Sequence, residues 1–171
     1  MNKLKILIFL LLSFFLLNNV HAFTDKDGKG AQSTGREDLS FLNAKNSNFK
    51  KGRDALKQAL KYEKKSKIQK ANEKFEKALK YFVLSYKENP NNIELINFLG
   101  FTYYKVGDFI MTEIYYKEGL SIDPKNILIN KGLGELYINT KRIGLAKERL
   151  EVLSSCNCEE YRVLKNIFDK N

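Results

Sequence analysis

The sequence predicts an all-α protein, an α-solenoid of about three stacked helix pairs closed by a C-terminal capping helix. Three observations carry that reading. From Asn48 onward, apolar residues recur at three and four spacing with Lys and Glu in the gaps, as in helices that bury one face. The chain also lies on itself when shifted by a fixed period: Leu99-Gly100 falls on Leu133-Gly134, Tyr103 on Tyr137, and Tyr116 on Leu150 and Phe82. Phe109 likewise meets Ile143 and Phe75. The punctuation repeats as well, since Pro90 meets Pro124 and each is followed within two residues by asparagine, Asn91-Asn92 and Asn126.

At the N-terminus, Met1–Lys5 carries two lysines, and Ile6–Leu17 is apolar apart from Ser13. Val20-His21-Ala22 then puts small or modest residues where a signal peptidase reads, so residues 1–22 have the layout of a secretory signal. Twelve residues of apolar run fall short of the roughly twenty that span a bilayer. An uncleaved N-terminal anchor is the competing reading. The expected mature chain is Phe23–Asn171, periplasmic or secreted. Cleavage removes His21, the only histidine, and with it the usual general base near neutral pH. No Ser-His-Asp or Cys-His arrangement can then be built. The expectation is a protein with no catalytic site, no metal and no cofactor, yet long enough for one domain with a real core.

Residues 23–47 read as a flexible leader, rich in Gly, Ser, Asn, Asp and Lys. Two near-motifs fail there. Gly30–Gly35 has the glycine spacing of a phosphate-binding loop, but Arg36 and Glu37 stand where Lys and Ser or Thr are required. Asp25–Gly30 is close to a calcium loop, but Lys29 takes a ligand place and Arg36 the place of the bidentate Glu.

The helical domain is expected over 48–171, with repeats at about 59–92, 93–126 and 127–160 and a cap helix at 159–169. Ile96-Asn-Phe-Leu99-Gly100-Phe-Thr-Tyr103 resembles the tetratricopeptide-repeat signature, with Ile96 where a tryptophan is typical. Gly107-Asp108-Phe109 and Pro124 complete that middle repeat, and Thr112 departs from the usual alanine, which predicts slightly looser packing there. The third repeat keeps Leu133, Gly134, Tyr137, Ala146 and Leu150, with Cys158 in place of its proline. The first keeps Phe75, Ala78, Phe82 and Pro90, but has Ser66 and Gln69 where glycine and tyrosine would stand.

Within such helix pairs, Gly100 and Gly134 are expected where paired axes approach closely. Gly107 ends one helix with a left-handed cap, and Asp108 caps the next. Tyr103, Tyr115, Tyr116 and Tyr137 are expected in inter-helix packing. Tyr161, Leu164 and Phe168 give Glu159–Phe168 the amphipathic spacing of a terminal cap.

The resemblance implies a non-enzymatic scaffold that binds a peptide or helix of a partner protein on the concave face of the first helices. It points inward Glu63, Lys64 and Lys67, then Asn97, Phe98, Phe101, Tyr104 and Lys105, then Lys131, Glu135 and Asn139. The chaperone-type version of this fold clamps a C-terminal carboxylate with Lys, Arg and Asn, a pattern that Phe98 and Gly132 interrupt. Phe98, Phe101 and Tyr104 could alternatively pack against a neighbouring helix, the commoner fate of apolar residues at helical spacing. Small exported bacterial proteins of this type resemble accessory factors of envelope, pilus or secretion assemblies.

Residues 23–171 hold 28 Lys and Arg against 20 Asp and Glu, and all of the excess lies in Lys50–Lys80, with twelve positive and four negative residues. That segment is either a solvated face or a weak contact for an anionic surface. Nucleic acid is a poor partner for an exported protein, and Lys57–Lys74 lacks base-stacking aromatics apart from Tyr62. Cys156 and Cys158, one residue apart, admit a local disulfide, intermolecular links, or redox or metal chemistry. A redox-active or disulfide-linked envelope protein using this pair is therefore the alternative function.

Overall fold

The computed structural model describes residues 39–171, with side chains from residue 47. The expected signal peptide at 1–22 and leader residues 23–38, with their two near-motifs, lie outside the described residues. Among the described residues there are seven helices and no strand: α1 Leu39–Lys64, α2 Ile68–Glu88, α3 Ile93–Val106, α4 Phe109–Ile122, α5 Ile127–Asn139, α6 Ile143–Leu153 and α7 Glu159–Phe168. Each helix packs on the next in sequence, and α3 also meets α5, as α5 meets α7. The chain therefore forms three helix pairs, α1–α2, α3–α4 and α5–α6, with α7 closing the last. The first helices of the pairs and α7 make one row.

The connections explain where helices start and stop. Asn92, Asp108 and Asn126 each accept a bond from the backbone N–H three residues on, from Leu95, Met111 and Ile129, at 3.0–3.1 Å. Such a cap contributes about 1 kcal/mol by satisfying a donor that the first turn leaves open. The turns inside the three pairs share one construction. Ser66, Gly107 and Lys141 take positive φ, at 55°, 84° and 60°. The following N–H then reaches back five residues, Lys67 to Tyr62, Asp108 to Tyr103 and Arg142 to Tyr137, at 2.8–3.0 Å. This is the Schellman closure, and only the middle turn uses the residue for which φ > 0 is free of strain.

These turns correct the first repeat. Lys141 follows Gly107 by one period, whereas Ser66 precedes Gly107 by one period and seven positions more. The extra seven positions are about two helical turns. On the far side of the turn α2 is longer than α4 by the same amount, 21 residues against 14. Gly52, given no role by the sequence, faces the ring of Phe82, as Gly100 faces that of Tyr116, one period beyond Phe82. The first hairpin is thus two turns longer on each arm, and α1 begins at Leu39, inside the segment read as leader and well before the repeat boundary placed at 59.

Two buried clusters make the core. One gathers Phe75, Ala78, Phe82, Leu95, Ile96 and Leu99 between the first two pairs. The other gathers Tyr116, Ile129, Leu133, Tyr137, Ala146 and Leu164 between the last pairs and the cap. Neighbouring Tyr115 and Tyr116 point into different clusters, so α4 belongs to both. Ala78, Thr112 and Ala146, equivalent positions of the three pairs, are all fully buried. Thr112 is accommodated in that buried place by its hydroxyl donating to the Asp108 carbonyl at 2.7 Å. Gly134 does not face α6 as expected. Its space is filled by Leu164 of α7, which is fully buried and anchors the cap.

Candidate partner-binding groove

The row α1, α3, α5 and α7 carries a chain of connected hollows. The central one, about 260 Å³, is lined by Leu56 and Leu60 of α1, Asn97, Phe98 and Phe101 of α3, and Leu128, Lys131, Gly132 and Glu135 of α5. Tyr116 of α4 forms its floor. Its ring reaches that floor because Gly100 and Gly132, on adjacent first helices, both lack the side chain that would meet it. Burial, with the nearby Glu135 and Tyr104, pushes the Tyr116 phenol well above its ordinary range, so it remains a neutral hydroxyl. A second hollow, about 350 Å³, follows toward the C-terminus between Tyr104, Glu135, Ile138, Asn139, Ile167 and Asn171. Burial and the Glu135 charge also raise the Tyr104 phenol. A third and larger one, about 760 Å³, opens beside α1, and Leu56, Leu60 and Phe98 line both it and the central hollow.

Eight of the eleven residues expected to point inward line these hollows, Lys64 in the third and the rest in the first two, whereas Glu63, Lys67 and Lys105 line none of them. Asn97, Phe98, Phe101, Lys131 and Glu135 meet in the central one, and Tyr104 and Asn139 join Glu135 in the second. Lys105 instead bridges to Glu63 on α1 at 2.7 and 2.9 Å and lies over the rings of Phe75 and Phe101, tying the first pair to the second. Glu63 is occupied by the same bond, and Lys131 is paired with Glu135 at 2.9 Å on its own helix. The charges of the central groove thus neutralise one another, leaving its character to aromatic and aliphatic surface.

The aromatics divide by role. Phe98 stacks on Phe82 at 5.3 Å with planes 3° apart and also meets Phe49 at 5.9 Å. It therefore serves the core while one edge lines the hollows. Tyr104 leans on Phe109 at 5.7 Å. Tyr103 stacks on Tyr115 at 5.4 Å, away from the hollows. Leu56, Leu60, Leu128 and Tyr116 also line the central hollow, and the sequence pattern does not point to them there. For the α1 pair the available signal was Tyr62, which precedes Tyr103 by the same lengthened interval that separates Ser66 from Gly107.

At the other end of the chain, Cys156 and Cys158 are joined to each other, and no free cysteine remains among the described residues. Cys156 packs on the second core cluster, and Cys158 precedes α7. Among the described residues no group of three or more His, Cys, Asp or Glu could hold a metal ion, and no helix is long and apolar enough to cross a membrane.

Residues 93–126 match the family model for the tetratricopeptide repeat. The fold is a tetratricopeptide-repeat solenoid. The TPR domain of Arabidopsis OM64 superposes with a TM-score of 0.53 at 15% identity, covering 72% of this chain and 98% of that one. The second TPR domain of human RPAP3, in complex with the HSP70 peptide SGPTIEEVD, gives 0.56 at 14% identity, covering 74% and 99%. The first TPR of Spaghetti (RPAP3), bound to the HSP90 peptide SRMEEVD, gives 0.52 at 18%, covering 71% and 94%. No curated protein sequence matches the chain. At these identities the likeness establishes the TPR architecture, with α3–α4 as its sequence-recognised repeat.

Proposed function

We propose that this protein is a non-enzymatic scaffold that binds a segment of a partner protein along α1, α3 and α5, as an accessory factor of the bacterial envelope. The observation that carries the reading is the apolar central groove. Phe101, Leu60, Leu128 and the Tyr116 floor leave concave apolar surface open to solvent, while its charged residues are already paired with one another. Concave apolar surface with a few polar groups at its rim is what a peptide anchor needs. Two of the superposed TPR domains hold peptides, which supports the same use of the fold here.

The envelope address rests on residues 1–22 and is supported by a bonded cysteine pair, which an oxidising compartment maintains. The test is capture from envelope extract by the purified protein and by a Phe101→Ala/Tyr104→Ala variant, with circular dichroism on both. The expected result is a discrete partner lost by a variant that keeps most of its helicity. Capture that survives in the folded variant contradicts the groove assignment. The same protein, recovered from the exported fraction, is expected to begin at Phe23.

A further inference from the structure

The hollow beside α1 differs from the rest of the groove in charge. Its floor is apolar, formed by Leu56, Leu60 and Phe98, and its rim carries Arg53, Lys57, Lys61, Lys64 and Lys65 against the single carboxylate Asp54. Among the described residues the four lysines have no ion-pair partner, and Arg53 has only a distant one, Glu94 at 3.7 Å between two exposed side chains. Glu63, the other nearby carboxylate, is held by Lys105. The central groove cancels its charges, and this end does not.

Position strengthens the contrast. Lys61, Lys64 and Lys65 belong to the two extra turns of the first hairpin, the part of the chain that the repeat period does not require. Residues 53, 57, 61 and 64 follow one another along one side of α1, roughly 6 Å apart where the step is four residues. Carboxylates four apart on a helix, or two apart on an extended strand, have nearly the same spacing.

We propose that the cation-rimmed hollow on α1 is a docking site for an acidic segment of another protein, held through side-chain carboxylates and one large apolar side chain on Leu56, Leu60 and Phe98. This deepens the groove reading and rests on it. The match is of sign and of shape. An uncompensated cationic rim attracts an anionic segment and sets its register, while a recessed floor of about 760 Å³ accepts a bulky side chain. A bilayer surface is flat on this scale and cannot reach that floor. Recognition through side chains, unlike a clamp on a chain terminus, is indifferent to the partner's C-terminal carboxylate.

The experiment is fluorescence anisotropy of the purified protein with three labelled peptides: an acidic one alternating Glu pairs with Leu and Phe, its Lys-for-Glu counterpart, and the acidic peptide with its C-terminus as amide instead of free acid. Saturable binding of the acidic peptide is expected at 50 mM salt, at least tenfold tighter than that of the basic one. It should weaken at least tenfold at 400 mM salt, where the Debye length falls to about 5 Å. Amidation should change it less than twofold. Leu60→Ser should weaken it, and Lys57→Glu/Lys61→Glu should reverse the preference toward the basic peptide, a gain that misfolding cannot imitate.

Equal binding of acidic and basic peptides, no saturable binding, or a preference unchanged by the charge reversal would overturn the proposal. So would Lys57- and Lys61-dependent binding to phosphatidylglycerol vesicles without binding of the peptide, which would make the rim a lipid contact. The groove reading fails separately, when partner capture is untouched by Phe101→Ala/Tyr104→Ala in a folded protein.

Discussion

Gly100→Ala probes the contact that shapes both the core and the groove floor. A methyl carbon built on Gly100 would lie 2.5 Å from Cδ1 and Cε1 of Tyr116, about 1 Å inside ordinary van der Waals contact. Gly132 of α5 crowds the same ring, since a carbon built there would meet its Cζ at 2.6 Å, so the ring sits in a slot between glycines of two helices. Overpacking of a well-filled site costs about 1–3 kcal/mol, and a slot bounded by two helices belongs at the upper end. The alanine returns up to about 1 kcal/mol of helix propensity, leaving about 2 kcal/mol. For a domain of this size that is a fall of about 6–8 °C in Tm by calorimetry or circular dichroism. Gly144→Ala is the matched control: it too sits in a helix but has nothing within 4 Å of the new carbon, so its Tm should hold or rise. Tyr116→Leu, which places at 116 the residue found one repeat later at 150, should rescue Gly100→Ala beyond additivity. A Gly100→Ala melt at or above that of the parent would refute the slot.

Three further outcomes are specific enough to check. Lys141→Gly should raise stability by about 0.5–1 kcal/mol and Gly107→Ala should lower it by about 1 kcal/mol, because both positions are left-handed and only glycine takes that region without strain; urea melts read both signs. Burial pushes the Glu113 carboxyl up, but bonds from Lys117 and Arg142, with their charges, outweigh it and hold the carboxyl below its ordinary 4.5. A depressed folded pKa stabilises above the unfolded value and is lost as pH falls through the folded one, so the stability gap between parent and Glu113→Gln should be full at pH 7 and narrow below about 4.5. Protein from the exported fraction should show no free thiol, run as a monomer without reductant, and lose only about 1–2 kcal/mol on reduction, since the bond closes a very short loop.

The legible part of the fold was the local part. Gly107 and Asp108 end and start helices through bonds to residues three to five away, and Pro90, Pro124 and the capping asparagines mark turns through their own chemistry, so a single sequence suffices to read them. The repeat period placed the last two pairs because every position there is used once per repeat. It failed at the first pair, where two added turns on each arm break the register, although the long interval from Tyr62 to Tyr103 marked the shift. On α3 and α5 the resemblance points to most of the residues that line the hollows, though not to Leu128 or Gly132. Their charge state does not follow from it, because Lys105 finds Glu63 across 42 positions and Leu164 finds Gly134 from beyond α6, and no local pattern encodes such pairings. The basic character of Lys50–Lys80 is legible in composition alone, but the apolar floor that Leu56, Leu60 and Phe98 place beneath those cations is a contact between α1 and α3 that no local pattern encodes.

The central claim, that a partner lies along the first helices, is tested most directly by photo-crosslinking in the producing cell. Benzoylphenylalanine in place of Asn97, which is partly exposed on the central hollow, is compared with the same group in place of Ile114, half exposed on α4 and lining none of the three hollows. A discrete crosslinked species from position 97 and none from position 114 is the predicted result. Crosslinking from position 114 with none from 97 would place the partner on the second helices and contradict the account.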